Sequence, residues 1–155
     1  MKKKMITIIT CIMLTIMTVI PVSASELPAL GSAKTDNNVF ITRSSNYFSK
    51  SLSKMNALNY GYSNIVHVTS GSVTGTTRSI TNVTVYIRLS GSSCVLHVMS
   101  PSGNDCYQTV TSTGTYTFTG FNGEDPYGDW YVYIVTNGPA STASSGVLKV
   151  YYNYE

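Results

Sequence analysis

His67 and His97 are the only histidines in the sequence, and a hydrolytic site would set one of them beside a serine. Asp105 or Asp125 would then orient the imidazole. No Gly-x-Ser-x-Gly elbow supplies that serine; Gly71-Ser72-Val73-Thr74-Gly75 keeps only the outer glycines of such a pattern. Each histidine lies within a short apolar run, where a solvent-facing or hydrogen-bonded structural role is the simpler expectation. No residue is assigned to catalysis, and the chain is expected not to be an enzyme.

Metal chemistry has two candidate donor sets. Cys94, Cys106 and His97 contain zinc-type donors, but a structural zinc site wants four such ligands at short spacing. Calcium suits the second set better, because hard carboxylate oxygens on loops are its usual ligands. Glu124, Asp125 and Asp129 gather in one turn, and Asp105 stands in another. The alternative is that these acids satisfy nearby backbone N–H groups in the turns. Calcium is thus the one cofactor with a case, and none is certain.

The twelve tyrosines against one tryptophan suggest a binding surface. If Trp130, Val132 and Ile134 face inward along an alternating strand, Tyr131 and Tyr133 face outward. Tyr151 faces outward in the same way beside Leu148 and Val150. Exposed aromatic stripes stack on sugar rings or meet protein partners, and they also stabilise sheets by cross-strand pairing.

These residues must be positioned by strands. Val83, Val85, Ile87 and Leu89 alternate with polar neighbours, a period of two that predicts a half-buried strand. Ile65–Val68 is a shorter strand, and Cys94, Leu96 and Val98 face one way while His97 faces the other. Strands are also expected over Tyr107–Thr111, Thr115–Thr119, Trp130–Val135 and Val147–Tyr154. Ser100–Asp105 and Gly123–Asp129 are turns, in which Pro101 and Pro126 preset φ while Gly103 and Gly128 allow positive φ. Seven to nine short strands punctuated this way predict an all-β, antiparallel sandwich or barrel. The N-terminal part is less patterned. Val39-Phe40-Ile41 reads as a strand and Ser49–Leu58 as a helical turn, so 25–60 is expected to be a linker and weakly patterned segment, with the sandwich over 61–155.

The front of the chain places it outside the cell. Lys2, Lys3 and Lys4 precede an apolar run to Ile20, then Pro21 and the small residues Val22-Ser23-Ala24. That order is a secretory signal peptide over 1–24, and the run is shorter than the roughly 18–20 residues of a stable membrane span. Without those three lysines, the remaining seven basic residues balance the seven acidic ones. A neutral chain offers no electrostatic footprint for nucleic acid or anionic membrane. The style of the signal suggests a bacterial source, with the product extracellular, or periplasmic where the host has an outer membrane. Asn82-Val83-Thr84 is a glycosylation sequon with meaning only in a eukaryotic host. Cys11 leaves with the signal. Cys94 and Cys106 then read as one disulfide closing a short loop, worth about 3 kcal/mol; two separately buried thiols are the alternative.

Two stretches of the second half resemble the P domain (Homo B domain) of subtilisin-like proprotein convertases. One is Ile80–Gly103, with Cys94-x-Leu96-x-Val98 leading into Ser100-Pro101-Ser102-Gly103. The other is Phe121-Asn122-Gly123-Glu124-Asp125-Pro126-Tyr127-Gly128-Asp129-Trp130, and Gly146-Val147-Leu148 then opens a final strand as in the family. The resemblance covers about 75 residues of the chain. It implies a jelly-roll sandwich with Trp130 buried between the sheets. The segment between Val110 and Thr117 is shorter than the family's, and no protease domain precedes the stretch. The family's role of stabilising a neighbouring catalytic domain would therefore need a partner in trans.

Together these observations predict a secreted, non-catalytic module for protein binding or stabilisation. Its partner would be an extracellular protein, which the resemblance suggests is a subtilisin-like protease, or a glycan held by a tyrosine face.

Overall fold

A computed structural model describes residues 43–155 and contains nine β-strands and no helix. They are β1 (Ser44–Leu52), β2 (Met55–Ala57), β3 (Val66–Thr69), β4 (Arg78–Gly91), β5 (Cys94–Met99), β6 (Asp105–Val110), β7 (Gly114–Phe118), β8 (Asp129–Val135) and β9 (Ser141–Tyr154). Sheet I runs β1-β9-β4-β7 with β2 also on β9, and sheet II runs β3-β8-β5-β6. Every pairing is antiparallel. Strands consecutive in sequence repeatedly cross between the sheets, which is the double Greek-key wiring of a jelly roll. The expected fold class is the one observed.

Alternation decides which side chains fill the space between the sheets. Leu96 and Val98 on β5, Trp130, Val132 and Ile134 on β8, Val83, Val85 and Ile87 on β4, and Leu148 and Val150 on β9 are all fully buried. The period is broken in two places. Between Ile80 and Asn82 the β4–β9 register slips, so that Ile80 and Val83 both point inward although they are three positions apart. Between Ile87 and Leu89 β9 carries the extra residue, which brings both Ala143 and Gly146 to the inner side. Bulges of this kind re-aim side chains without ending a strand.

Trp130 lies at the centre of this core and is completely buried. Its ring meets Phe121 edge-on with centroids 5.5 Å apart, and Phe48 at 6.3 Å. Such pairs contribute about 0.5–1.5 kcal/mol beyond simple burial. Its Nε1 donates to the Pro126 carbonyl at 3.1 Å, so the polar tip of the ring is satisfied inside the turn that delivers it. That turn is hooked to the start of β4, with Gly123 N donating to the Ile80 carbonyl and Ile80 N to the Glu124 carbonyl.

The two turns singled out in the sequence lean on one another. Gly128 has φ +127°, and a Cβ there would lie 2.9 Å from Pro101 Cβ. Gly103 has φ +87° and closes the other turn by donating to the Ser100 carbonyl. Glu124 spans the two, accepting from Ser100 Oγ, Ser102 Oγ and Asn104 Nδ2.

Several expectations for the weakly patterned segments are corrected. Ser49–Leu58 forms no helical turn. It holds the end of β1 and all of β2, both paired with β9, so the sandwich already includes Ser44. β1 is an edge strand that buries only one side, chiefly through Phe48 and Leu52, and its serine-rich outer positions hide the alternation. The last strand starts at Ser141, ahead of the expected Val147, and its first three residues are held between β2 and the end of β4. The expected signal peptide, Cys11 and the strand expected at Val39–Ile41 all fall in residues 1–42, outside the described residues.

The disulfide is also corrected, for Cys94 and Cys106 are both free. In the β5–β6 ladder Cys94 pairs with Val110 and Cys106 with Val98. The two thiols share the inner side but stand four positions apart along the hairpin. At about 3.3 Å per residue that is near 13 Å, far beyond the roughly 7 Å Cα limit for a bridge.

Candidate functional site: the outer face of sheet II

The outward positions of sheet II form one continuous aromatic, histidine and carboxylate surface. Register builds it in rows. His97 on β5 faces Tyr133 on β8 and Tyr107 on β6. The His97 and Tyr133 rings are nearly parallel, 10° apart with centroids at 4.6 Å, and Tyr107 covers the other side of His97 at 5.1 Å. Tyr62 extends the row past Tyr133 at 6.3 Å. In the neighbouring row His67 on β3 stacks on Tyr131 at 5.1 Å, and Tyr131 pairs in register with Met99. Tyr62 and Tyr107 are 73% and 68% exposed, so the ends of the long row stand in solvent.

A carboxylate braces each imidazole. His97 Nδ1 lies 3.0 Å from Asp105 Oδ2, and the Tyr133 hydroxyl donates to the same oxygen at 3.3 Å. Burial, helped by the Asp105 charge, raises the Tyr133 phenol above its ordinary value. His67 Nε2 lies 3.0 Å from Asp129 Oδ1, which also accepts from Thr69 Oγ1 at 2.9 Å. The Thr69 hydroxyl and then His67 hold the Asp129 carboxyl below its usual range. No serine, threonine or cysteine side chain hydrogen-bonds either imidazole among the described residues. Each His–Asp pair therefore has an orienter and a base without a nucleophile beside it.

The calcium candidates are dispersed. Asp105 and Asp129 serve the histidines, while Glu124 serves the Ser100–Asn104 turn. Asp125 takes Arg78 in a two-pronged contact, with Nε and Nη2 each at 3.0 Å, and accepts from its own turn at Tyr127 N. Arg78 and then that backbone bond set the Asp125 carboxyl low despite some burial. Among the described residues no three histidine, cysteine or carboxylate side chains converge on a cation site. Only Asp125 accepts from a backbone N–H of its turn, as the alternative reading expected; Asp105, Glu124 and Asp129 are taken by side chains instead. The zinc-type set is separated too, since His97 faces outward while Cys94 and Cys106 face inward at opposite ends of the hairpin.

The three candidate tyrosines divide between two surfaces. Tyr131 and Tyr133 belong to sheet II. Tyr151 lies on β9 in sheet I, 5.8 Å from Tyr47, with Lys149 Nζ 3.9 Å from the Tyr47 ring and 4.8 Å from its own. A strand's alternation shows which side of itself a residue faces but not which sheet the strand joins. The sequence could have yielded Tyr107, because Asp105, Tyr107 and Thr109 alternate with Cys106 and Val110 on β6. Asn82 of the sequon sits within β4, with a side-chain oxygen that is buried and makes no hydrogen bond.

The fold and this face together define a jelly-roll sandwich whose most distinctive surface is a braced aromatic sheet. No family model and no curated protein matches the chain. Among solved structures it is similar to one titled "Crystal Structure of FLHE", at 18% identity over 71% of this chain and 96% of that one, with a TM-score of 0.44, too distant to bear on fold or function. The resemblance to the P domain is not upheld, since no family model supports it. Its motifs have a local explanation here, because Pro101, Gly128, Glu124 and Trp130 fasten two neighbouring turns of this sandwich to each other and to its core.

Proposed function

We propose that this is an exported, non-catalytic binding module that meets a protein partner with the outer face of sheet II. The Tyr107–His97–Tyr133 stack carries this reading. Its rings stand face to face with one another, so what they offer outward is ring edges and phenol hydroxyls. A surface of this kind suits protein contacts, where tyrosine is enriched because it combines apolar area with a polar tip at low entropic cost. A sugar ring needs a bare aromatic face, and both faces of His97 and one face of Tyr133 are already covered. The glycan alternative is accordingly the weaker one. That no serine, threonine or cysteine side chain bonds His67 or His97 among the described residues supports a non-catalytic role. With the P-domain resemblance gone, nothing favours a protease as the partner.

The experiment is affinity capture from the source culture with three versions of the protein. The wild type and a sheet I variant, Tyr47→Ser with Tyr151→Ser, should retain the same partner, and Tyr107→Ser with Tyr131→Ser should lose it. Equal capture by all three, or saturable binding to a glycan array that survives the sheet II substitutions, would overturn the assignment. Mass spectrometry of the secreted product should find residue 25 as its N-terminus; an intact Met1–Ala24 segment would contradict export by signal cleavage.

A further inference from the structure

Charge is completely segregated between the two sheets. The strands of sheet II contain Asp105 and Asp129 and no lysine or arginine. Those of sheet I contain Lys50, Arg78, Arg88 and Lys149 and no aspartate or glutamate. Local pairing removes part of this, since Arg78 is held by Asp125. Arg88 and Lys149 remain without a carboxylate partner among the described residues, and both occupy outward positions of sheet I. That outer face also presents Tyr47, Tyr86, Val147 and Tyr151, with Tyr47 53% and Tyr86 40% exposed. The sandwich thus has an acidic aromatic side and a basic aromatic side, back to back.

From this complementarity we propose that the partner of the sheet II face is the sheet I face of a second copy of this chain. The proposal rests on the reading of sheet II as a protein-binding surface and names its occupant. Arg88 and Lys149 approach Asp105 and Asp129, and tyrosines of both faces fill the space between them. Opposite charges across such a contact fix its register and disfavour the like-on-like alternatives, II on II or I on I. Because the two faces differ, the contact is heterologous. Each added copy leaves one face open, so association grows as a stack of copies rather than ending at a twofold dimer.

The test is sedimentation velocity of the purified protein over a concentration series in about 20 mM and about 500 mM salt. The weight-average sedimentation coefficient should rise with concentration at low salt and fall toward the monomer at high salt, where exposed charges are screened. Arg88→Glu with Lys149→Glu should disable one face, and Asp105→Lys with Asp129→Lys the other, leaving each variant monomeric alone. Mixed one to one, the two present opposite charges in both combinations of faces, native Asp against native Arg and Lys and introduced Lys against introduced Glu, and should associate again. The neutral pairs Arg88→Gln with Lys149→Gln and Asp105→Asn with Asp129→Asn, each checked for folding by circular dichroism, retain a single intact combination when mixed and should form a dimer that grows no further. A wild type that stays monomeric at low salt, a single-face variant that still associates, or a mixture that stays monomeric would each overturn self-stacking. Monomeric wild type that nevertheless captures a foreign protein through Tyr107 and Tyr131 would leave the sheet II assignment standing and remove only the second copy.

Discussion

The indole nitrogen of Trp130 donates to the carbonyl of Pro126, 3.1 Å away and four residues earlier in the chain. The turn that aims the ring into the core therefore also satisfies its only polar atom. Replacing Trp130 by Phe should cost about 1–3 kcal/mol, part of it from the orphaned carbonyl, and Trp130→Ala about 3–5 kcal/mol. Urea denaturation measures both. The native emission should be blue-shifted and resistant to acrylamide quenching; a freely quenched Trp130 would contradict its burial.

Gly128 and Gly103 both have positive φ, but only Gly128 touches another turn. Gly103→Ala meets nothing within 4 Å and should lose about 1–2 kcal/mol through its backbone alone. Gly128→Ala adds a collision with Pro101 and should be clearly worse. The difference in urea midpoint between the two variants reads the contact directly.

Glu124 gives the sandwich an acid-sensitive joint. Burial works to raise its carboxyl, yet hydrogen bonds from Ser100, Ser102 and Asn104 together hold it below the ordinary value. The unfolded chain therefore binds that proton more readily than the folded one. This contribution is full above the ordinary carboxylate range and is lost as pH falls through the folded value. Asp125 and Asp129 are shifted in the same direction. Stability should be level near neutrality and decline below about pH 4. Glu124→Gln should make that decline shallower while lowering stability at pH 7 by about 1 kcal/mol. An unchanged pH profile in the variant would show that the joint is not the source.

The cysteines should behave as two free thiols, Cys94 buried and Cys106 half-buried. Burial raises both, Cys94 with a partial offset from Ser141 and Cys106 with added repulsion from Glu124 and Asp105. Alkylation of the native protein should be slow. After unfolding without reductant, Cys94 and Cys106 should each take one label, and reductant should leave the melting temperature unchanged. A mass two hydrogens lighter before reduction would revive the bridge.

Much of the sandwich is written locally. Period-two alternation in β4, β5, β8 and β9 gives the strands and their inward faces, and Pro and Gly mark the turns at Ser100–Asp105 and Gly123–Asp129. β1 and β2 escape that logic. An edge strand rich in serine makes few local demands, and the pairing that forms it comes from β9, about a hundred residues later. The bulges at Thr81 and in β9 escape as well, since a register slip belongs to two strands at once.

For the candidate site the division is sharper. Residue types and spacing determined that Tyr131 and Tyr133 point away from the core, that His97 opposes Cys94, Leu96 and Val98, and that the chain offers few charges and no hydrolase elbow. Only the tertiary structure decided that His97 lies between Tyr133 and Tyr107, that Tyr151 belongs to the other sheet, that four acids serve four separate neighbourhoods, and that Cys94 and Cys106 stand apart. Side-chain direction along one strand follows from backbone geometry between adjacent residues, which a sequence displays. Adjacency across strands follows from which strands pair and in what register, and that choice is made by the packing of the whole core.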